Sequence, residues 1–302
     1  MAKTDATFVP PLTLPAPSAV LELFKPITWF APMWAFMCGV VSANVSLATR
    51  WPLLIAGVLL AGPLICATSQ AVNDWFDRHV DAINEPGRPI PSGRIPGRWG
   101  LGIAIAWTLV SLAFSALLGT WVFWAAVLGL FLSWAYSAPP LRLKQSGWLG
   151  PAAVALSYEG LTWFTGAAVM AGGLPSPRIL FLAAAYSIGA HGIMTLNDFK
   201  AVEGDARMGI RSLPVTLGVE NAALIACMMM ALPQFVVVVR LIGWGRPVYA
   251  GIVGLLLLAQ IALMTRLMRD PRKYAPWYNA TGTTLFVLGM LVCAIAVRMP
   301  GG

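Results

Sequence analysis

Residues 51–81 read WPLLIAGVLLAGPLICATSQAVNDWFDRHVD. The first 23 of them, 51–73, carry no Asp, Glu, Lys or Arg, and a helix crosses a bilayer with about 20 apolar residues. The run then passes directly into Asn73-Asp74-x-x-Asp77-x-x-x-Asp81, so a membrane span ends in three carboxylates. Eight more apolar runs of similar length lie near 27–49, 101–118, 121–138, 149–171, 179–197, 221–239, 247–265 and 277–297. A transmembrane barrel shows alternating segments of about 10 residues, and these runs do not alternate. The expected fold is an all-α integral membrane bundle of nine transmembrane helices.

Composition agrees. Of 302 residues 58% are hydrophobic and 11% charged, where a soluble domain carries roughly 25% charged residues. Such a chain cannot cover itself with polar surface. A disordered protein, a disulfide-rich secreted domain and a nucleic-acid binder are all excluded, despite a net charge of +8. Residues 1–24 are Pro-rich without an apolar h-region, so they read as a disordered or surface-lying cytoplasmic tail and not as a signal peptide. Residues 25–300 form one transmembrane domain. Cys38, Cys66, Cys227 and Cys293 fall in apolar runs and read as packing residues.

With nine spans, the side bearing the amino terminus and the loops after spans 2, 4, 6 and 8 holds fifteen of the twenty Lys and Arg residues. Cytoplasmic loops accumulate such residues, which puts the amino terminus in the cytoplasm. The acidic residues are under no such rule, yet none falls in an outside loop. Asp74, Asp77, Asp81 and Glu85 gather at the end of span 2; Asp198, Glu203, Asp205 and Glu220 gather after span 6.

On one helix Asp74, Asp77 and Asp81 share a face and repel one another unless a cation intervenes. Hard oxygen ligands without Cys point to Mg²⁺, which favours carboxylates together with substrate phosphates. An isolated D-x-x-D reads equally as a solvated helix end paired with Arg78 and Arg88. The second cluster, Asn197-Asp198-Phe199-Lys200-Ala201-Val202-Glu203-Gly204-Asp205, places Asp198 and Asp205 on one face if the helix continues, or leaves Asp205 in a loop if Gly204 ends it. Both clusters open with Asn-Asp at the end of an even-numbered span. Arg88-Pro89-Ile90-Pro91-Ser92-Gly93 trails the first, and Arg211-Ser212-Leu213-Pro214 the second. Four spans separate them, as parallel repeats require, giving a 4 + 4 bundle plus a ninth helix around a central cavity. Two such clusters with Arg88 and Arg211 nearby suit a diphosphate held through Mg²⁺. Metal and guanidinium groups stabilise charge on a departing oxygen, and aromatic faces attract the remaining cation by roughly 0.5–2 kcal/mol each.

Asn73-Asp74-x-x-Asp77-x-x-x-Asp81, with Asn197-Asp198 and Glu203-Gly204-Asp205, resembles the UbiA-type intramembrane prenyltransferases over nearly the whole chain. The runs NDWFDRHVDAINEPGRPIPSG and NDFKAVEGDARMGIRSLPVTLG, and Tyr136-Ser137-Ala138-Pro139-Pro140-Leu141-Arg142-Leu143-Lys144, look like the chlorophyll and bacteriochlorophyll synthase branch, and the segments LELFKPITWFAPMWAFMCGVVSA and LSYEGLTWFTGAAVM look closer to its purple bacterial members than to its plant or cyanobacterial ones. Ala201 departs from the wider superfamily, many members of which place another Asp there.

The resemblance implies esterification of the bacteriochlorophyllide propionate with a geranylgeranyl or phytyl group from its diphosphate, on the cytoplasmic side of a bacterial inner membrane. Membrane lipid surrounds the chain, and other pigment-synthesis proteins are expected partners. The attacking carboxylate, with a pKa near about 4, is already ionised at neutral pH, so no protein nucleophile is needed, and no Ser-His-Asp or Cys-His set stands out. Expected Mg²⁺ ligands are Asp74, Asp77, Asp81, Asp198 and Asp205, supported by Asn73 and Asn197. Arg88, Lys144 and Arg211 are candidate diphosphate contacts, although topology alone accounts for Lys144 and Arg142.

Glu159 and His191 lie within spans, where ionisable groups often mark function. His191, seven residues before Asp198, shares its face toward the expected cavity; a structural, hydrogen-bonded His is the competing reading. Glu159 either orients a tetrapyrrole edge or pairs with a helix neighbour. His79 on the motif helix is a minor candidate for a magnesium-porphyrin axial ligand. Met228-Met229-Met230 reads as lipid-facing packing. The alternatives are a chlorophyll synthase, a quinone or haem prenyltransferase, and a cation-coupled transporter. Transporters hold their carboxylates near the bilayer midplane, whereas both clusters here lie at span ends.

Overall fold

Leu47–Asn84 folds as one helix of 38 residues in the computed structural model, which describes residues 14–298. Its apolar stretch, residues 51–73, runs about 34 Å at 1.5 Å per residue, against a hydrocarbon core of about 30 Å. The acidic motif therefore begins where the hydrocarbon ends. The helix widens to π geometry over Leu60–Cys66, where Pro63 offers no amide hydrogen. Trp107 donates from the next helix to the Pro63 carbonyl at 3.0 Å.

The helices are labelled α1 (Pro17–Leu23), α2 (Pro26–Ser42), α3 (Leu47–Asn84), α4 (Trp99–Leu117), α5 (Thr120–Ser137) and α6 (residues 149–171). After them come α7 (Pro177–Asn197), α8 (Val202–Arg207), α9 (Leu213–Leu217), α10 (Val219–Gly243), α11 (Pro247–Leu267) and α12 (Pro271–Arg298). Among the described residues seven helices are long and apolar enough to cross a membrane: α3, α4, α5, α7 with its continuation to Lys200, α10, α11 and α12. Two of the nine expected spans differ from the pattern. The run near 27–49 is helical only as Pro26–Ser42, because a turn follows at residues 43–44. Residues 149–171 do form a continuous helix, but Ser157, Tyr158 and Glu159 dilute its apolar middle, and Leu156–Gly160 is π-helical.

Small residues allow the closest approaches. A Cβ on Gly39 of α2 would lie 2.1 Å from the Trp163 carbonyl oxygen, and one on Gly166 of α6 would lie 2.1 Å from that of Phe36. These helices thus touch backbone to backbone, a packing that membrane helices favour. The largest core surrounds α7, whose Tyr186 stacks on Trp163 and meets Phe286 edge to face. The segment expected to be a disordered or surface-lying tail is helical from Pro17; it buries Leu23 and Phe24, and the Phe24 ring centre lies 4.7 Å from that of Trp107. Residues 1–13 of that segment lie outside the described residues. All four cysteines are buried and unbridged. In the methionine run, Met228 is exposed and Met230 fully buried.

Candidate active site

The carboxylates of the two motifs meet across a cavity of about 630 Å³. The first wall comes from α3, where Gln70, Asn73 and Asp77 line the cavity at i, i+3 and i+7. Asn73 donates through Nδ2 to Asp77 at 2.9 Å and to Ser137 of α5 at 3.2 Å, which fixes the carboxylate. Lys144, in a short 3₁₀ turn Leu143–Gln145 after α5, donates to the same carboxylate, and Arg142 stands 3.8 Å from it. Burial pushes the Lys144 ammonium below its ordinary pKa, and Asp77 offsets part of that shift.

Asp74 and Asp81 lie on the same helix, but neither lines the cavity. Asp74 is buried and paired with Lys25 at 2.6 Å and Arg88 at 3.4 Å; Asp81 pairs with Arg88 at 2.8 Å. The Arg88 guanidinium also grips Glu85 at 2.6 Å and 2.8 Å, which holds the Glu85 carboxyl below its usual value. Arg78, the other expected partner, instead stacks over Trp75 at 4.1 Å. His79 is exposed and away from the cavity.

The second wall comes from the end of α7. The helix breaks after Asn197 into a 3₁₀ turn, Asp198–Lys200, and restarts as α8, so the break falls at Ala201 and not at Gly204. Asp198 and Asp205 sit on separate short elements, yet both line the cavity with Asn197. Asn197 accepts a hydrogen bond from Asn279 of α12 at 2.8 Å. Burial raises the Asp205 carboxyl above the ordinary carboxylate range.

Three expected site residues lie elsewhere. His191 is buried; its Nε2 donates to the Trp148 carbonyl at 3.1 Å, tying α7 to the start of α6 without lining the cavity. Glu159 is buried in the π-helical turn, with no partner for Oε2 among the described residues, while its neighbours Ser157 and Tyr158 line the cavity. Arg211 is exposed and lines a second cavity. Sequence reasoning passed over Lys25 as the partner of Asp74, and Gln70, Tyr136 and Tyr158 as lining residues. Helical spacing from Asn73 and Asp77 was a sufficient signal for Gln70; a pairing 49 residues away left none for Lys25.

The donor set suits a hard divalent cation. Oxygen-bearing Asp77, Asp198, Asp205, Asn73 and Asn197 share one cavity. Among the described residues no three His, Cys, Asp or Glu side chains stand close enough to hold a metal ion by themselves. It is the oxygen donors that fit Mg²⁺, which binds through one or two carboxylates and completes its shell with substrate phosphates.

Residues 30–288 match the UbiA prenyltransferase family. The chain belongs to that family. It is 58% identical over 288 residues to the bacteriochlorophyll synthase 33 kDa chain of Cereibacter sphaeroides, covering 95% of each chain. It is 39% identical over 289 residues to a chloroplastic chlorophyll synthase of Oryza sativa subsp. japonica, covering 91% of this chain and 76% of that one. A UbiA homolog from Archaeoglobus fulgidus, solved bound to GPP and Mg²⁺, superposes with a TM-score of 0.69 at 21% identity over 89% of this chain and 99% of that one. The protein is thus an all-helical, multi-pass membrane prenyltransferase, and the transporter reading falls away.

Proposed function

We propose that this UbiA-family prenyltransferase esterifies the propionate of bacteriochlorophyllide with a geranylgeranyl or phytyl group taken from its diphosphate. One observation carries the reading: Asp77 from one half of the chain and Asp198 and Asp205 from the other converge on a single cavity that continues inward past Tyr158, Leu132, Val154 and Met194. A polar mouth with an apolar interior suits a diphosphate on a long hydrocarbon tail. The overall identity to a bacteriochlorophyll synthase supports the choice of acceptor.

Asp77 on one wall and Asp198 with Asp205 on the other, supported by Asn73 and Asn197, would hold Mg²⁺ together with the diphosphate in this reading, one or two carboxylates to each ion, and Asp74 and Asp81 hold the first set in place through Lys25 and Arg88. Bound Mg²⁺ supplies positive charge to the departing diphosphate oxygen. Lys144 leaves Asp77 and donates to the diphosphate. Tyr136 and Tyr158 face the allylic carbon, where aromatic surface attracts positive charge, and the apolar wall excludes water. The carboxylate oxygen of the acceptor forms the new bond to carbon as the carbon–oxygen bond to pyrophosphate breaks, and no proton is transferred.

The chain crosses the membrane nine times in this reading. Pro26–Ser42 and residues 149–171 complete the seven longer helices, grouped four and four plus one, with the amino terminus and the cavity mouth in the cytoplasm of a bacterial inner membrane. Purified protein supplied with Mg²⁺, geranylgeranyl diphosphate and either bacteriochlorophyllide or chlorophyllide tests the assignment. Ester formed from bacteriochlorophyllide is expected. Efficient use of chlorophyllide with none of bacteriochlorophyllide overturns the choice of acceptor, and transfer to neither overturns the reading.

A further inference from the structure

Next to the reaction cavity lies a second cavity of about 590 Å³ that the transfer described above does not use. It sits between the loop after α5 and the segment leading into α9. Its lining includes two guanidinium-bearing residues, Arg142 and Arg211, and no carboxylate. Among the described residues no acidic side chain lies within ion-pair distance of Arg211. The rest of the surface is largely apolar: Leu141, Trp148, Leu149 and Leu217 are 40–56% exposed there.

The two cavities share a wall. Ser146 and Gly147 line both, so one stretch of backbone separates them. That stretch is clamped by Gly147 N–H donating to the Arg211 carbonyl at 2.9 Å and Arg211 N–H donating to the Gln145 carbonyl at 3.0 Å. Arg142 stands at the junction. Its backbone is left-handed, φ 38°, a conformation that residues with a Cβ adopt at a cost. Its Nε is buried with no hydrogen-bond partner, while Nη2 lies 3.8 Å from the Asp77 carboxylate on the reaction side. A strained backbone and an unused buried donor are both tolerated where a ligand completes them.

We infer that the second cavity is the docking site of the acceptor, a planar amphipathic tetrapyrrole, and that Arg142 and Arg211 read its anionic side. This rests on the transferase reading above. The macrocycle lies against Leu141, Trp148, Leu149 and Leu217. The Arg142 guanidinium takes the propionate carboxylate and presents it toward the Asp77 side of the wall, where the allylic carbon is held. Arg211 balances charge at the outer rim. A guanidinium suits this task because it binds carboxylates in a two-pronged fork. A flat apolar body fits the exposed Leu141, Trp148, Leu149 and Leu217, a carboxylate fits two arginines in a lining without acid, and the Arg142 guanidinium, 3.8 Å from Asp77, gives the propionate its route to the reaction side.

The test uses the full chain in nanodiscs of phosphatidylcholine, with bacteriochlorophyllide binding followed by tetrapyrrole fluorescence in the absence of prenyl diphosphate. Arg142→Gln and Arg211→Gln are each expected to weaken bacteriochlorophyllide binding tenfold or more, and Arg142→Lys by less. Geranylgeranyl diphosphate binding to Arg211→Gln should stay within twofold of the parent. The propionate methyl ester of the acceptor should bind the parent and Arg142→Gln alike. Unchanged acceptor affinity in both glutamine variants overturns the inference, as does equal loss for acid and ester. A defect confined to prenyl diphosphate binding, or one that emerges only in nanodiscs containing phosphatidylglycerol, also overturns it, the last by assigning the arginines to a lipid headgroup. Failure of the two readings is separable. A parent protein that binds bacteriochlorophyllide at this site without esterifying it removes the proposed reaction and leaves the site. An active parent whose arginine variants bind normally removes the site and leaves the reaction.

Discussion

The Lys25 ammonium donates to the Asp74 carboxylate at 2.6 Å, tying the residue that opens α2 to the first carboxylate of the α3 motif. Asp74 is buried, and its other cation, Arg88, is more distant at 3.4 Å. Removing Lys25, its side chain 24% exposed, leaves Asp74 with the more distant Arg88 alone, a loss below the roughly 3–5 kcal/mol of breaking a fully buried pair. Lys25→Met should lower the melting temperature of the purified protein, and Lys25→Met with Asp74→Asn should recover most of the loss. A single variant that melts like the parent would show that Arg88 alone suffices.

Asp77 is the motif carboxylate that faces the cavity, and its ion pair with Lys144 is one that a diphosphate and metal would break. Asp77→Asn and Asp198→Asn should each cut ester formation by about 10²-fold or more, because metal and electrostatic stabilisation of the leaving group supply several kcal/mol. Membrane insertion should be unaffected. Chelation by EDTA should stop transfer and added Mg²⁺ should restore it. Full activity of either variant in a quantitative ester assay is incompatible with metal binding at that residue.

Asp205 carries a cost in the metal-free protein. Burial holds its carboxyl above the ordinary value of about 3.9, so the folded chain binds that proton more tightly than the unfolded chain. The associated stability is complete below the unfolded pKa and is lost as pH rises through the folded one. Asp205→Asn should therefore raise the metal-free melting temperature at pH 7, by an increment that shrinks toward acid. The stabilisation of the parent by Mg²⁺ with a diphosphate should vanish in the variant. A variant that melts lower than the parent at pH 7 argues that the carboxylate is structurally paired.

Two glycines should respond in opposite directions. A Cβ on Gly147 would lie 2.4 Å from the Leu213 amide nitrogen, in the clamped wall between the cavities. Gly147→Ala is expected to destabilise by about 1–3 kcal/mol through overpacking and to impair transfer. Gly102 in α4 has open space around it, and Gly102→Ala should be neutral or stabilise by up to about 1 kcal/mol. Thermal melts of the two proteins side by side decide this; equal behaviour would mean the wall yields.

Much of this was legible in the sequence because it depends on local pattern. Charge-free runs of bilayer length mark α3, α10 and α11 with little ambiguity, since hydrocarbon imposes the same requirement on every span. The two Asn-Asp clusters could be brought together because both end spans on one side. Contacts between distant segments were not legible. Lys25 read as a topology charge, and Arg88 as a diphosphate contact, until their pairing with Asp74 and Asp81 placed them. Arg211 was grouped with the diphosphate through the repeat, yet backbone bonds to Gln145 and Gly147 turn it toward another cavity. The break at Ala201 had no strong local signal: neither Gly nor Pro marks it.

The widened turns have a geometric consequence for both helices that carry them. One residue in an α-helix advances the azimuth by about 100°, and a π turn takes up such an extra step without breaking the rod. Leu60–Cys66 therefore resets the phase of α3, so its two halves are aimed independently: the first exposes Leu47, Trp51, Ile55 and Leu59, and the second turns Gln70, Asn73 and Asp77 to the cavity. Leu156–Gly160 does the same within α6, between Val154 and the buried Trp163. Excising a single residue from either turn would let it relax to α geometry with the aim beyond it kept, whereas forcing α geometry at unchanged length would swing everything beyond it by about 100°. For α3 this would carry Asp77 off the cavity while every apolar residue stayed at its depth. The aim of the acidic motif is thus encoded seven or more residues upstream of it, by the one place where the helix miscounts.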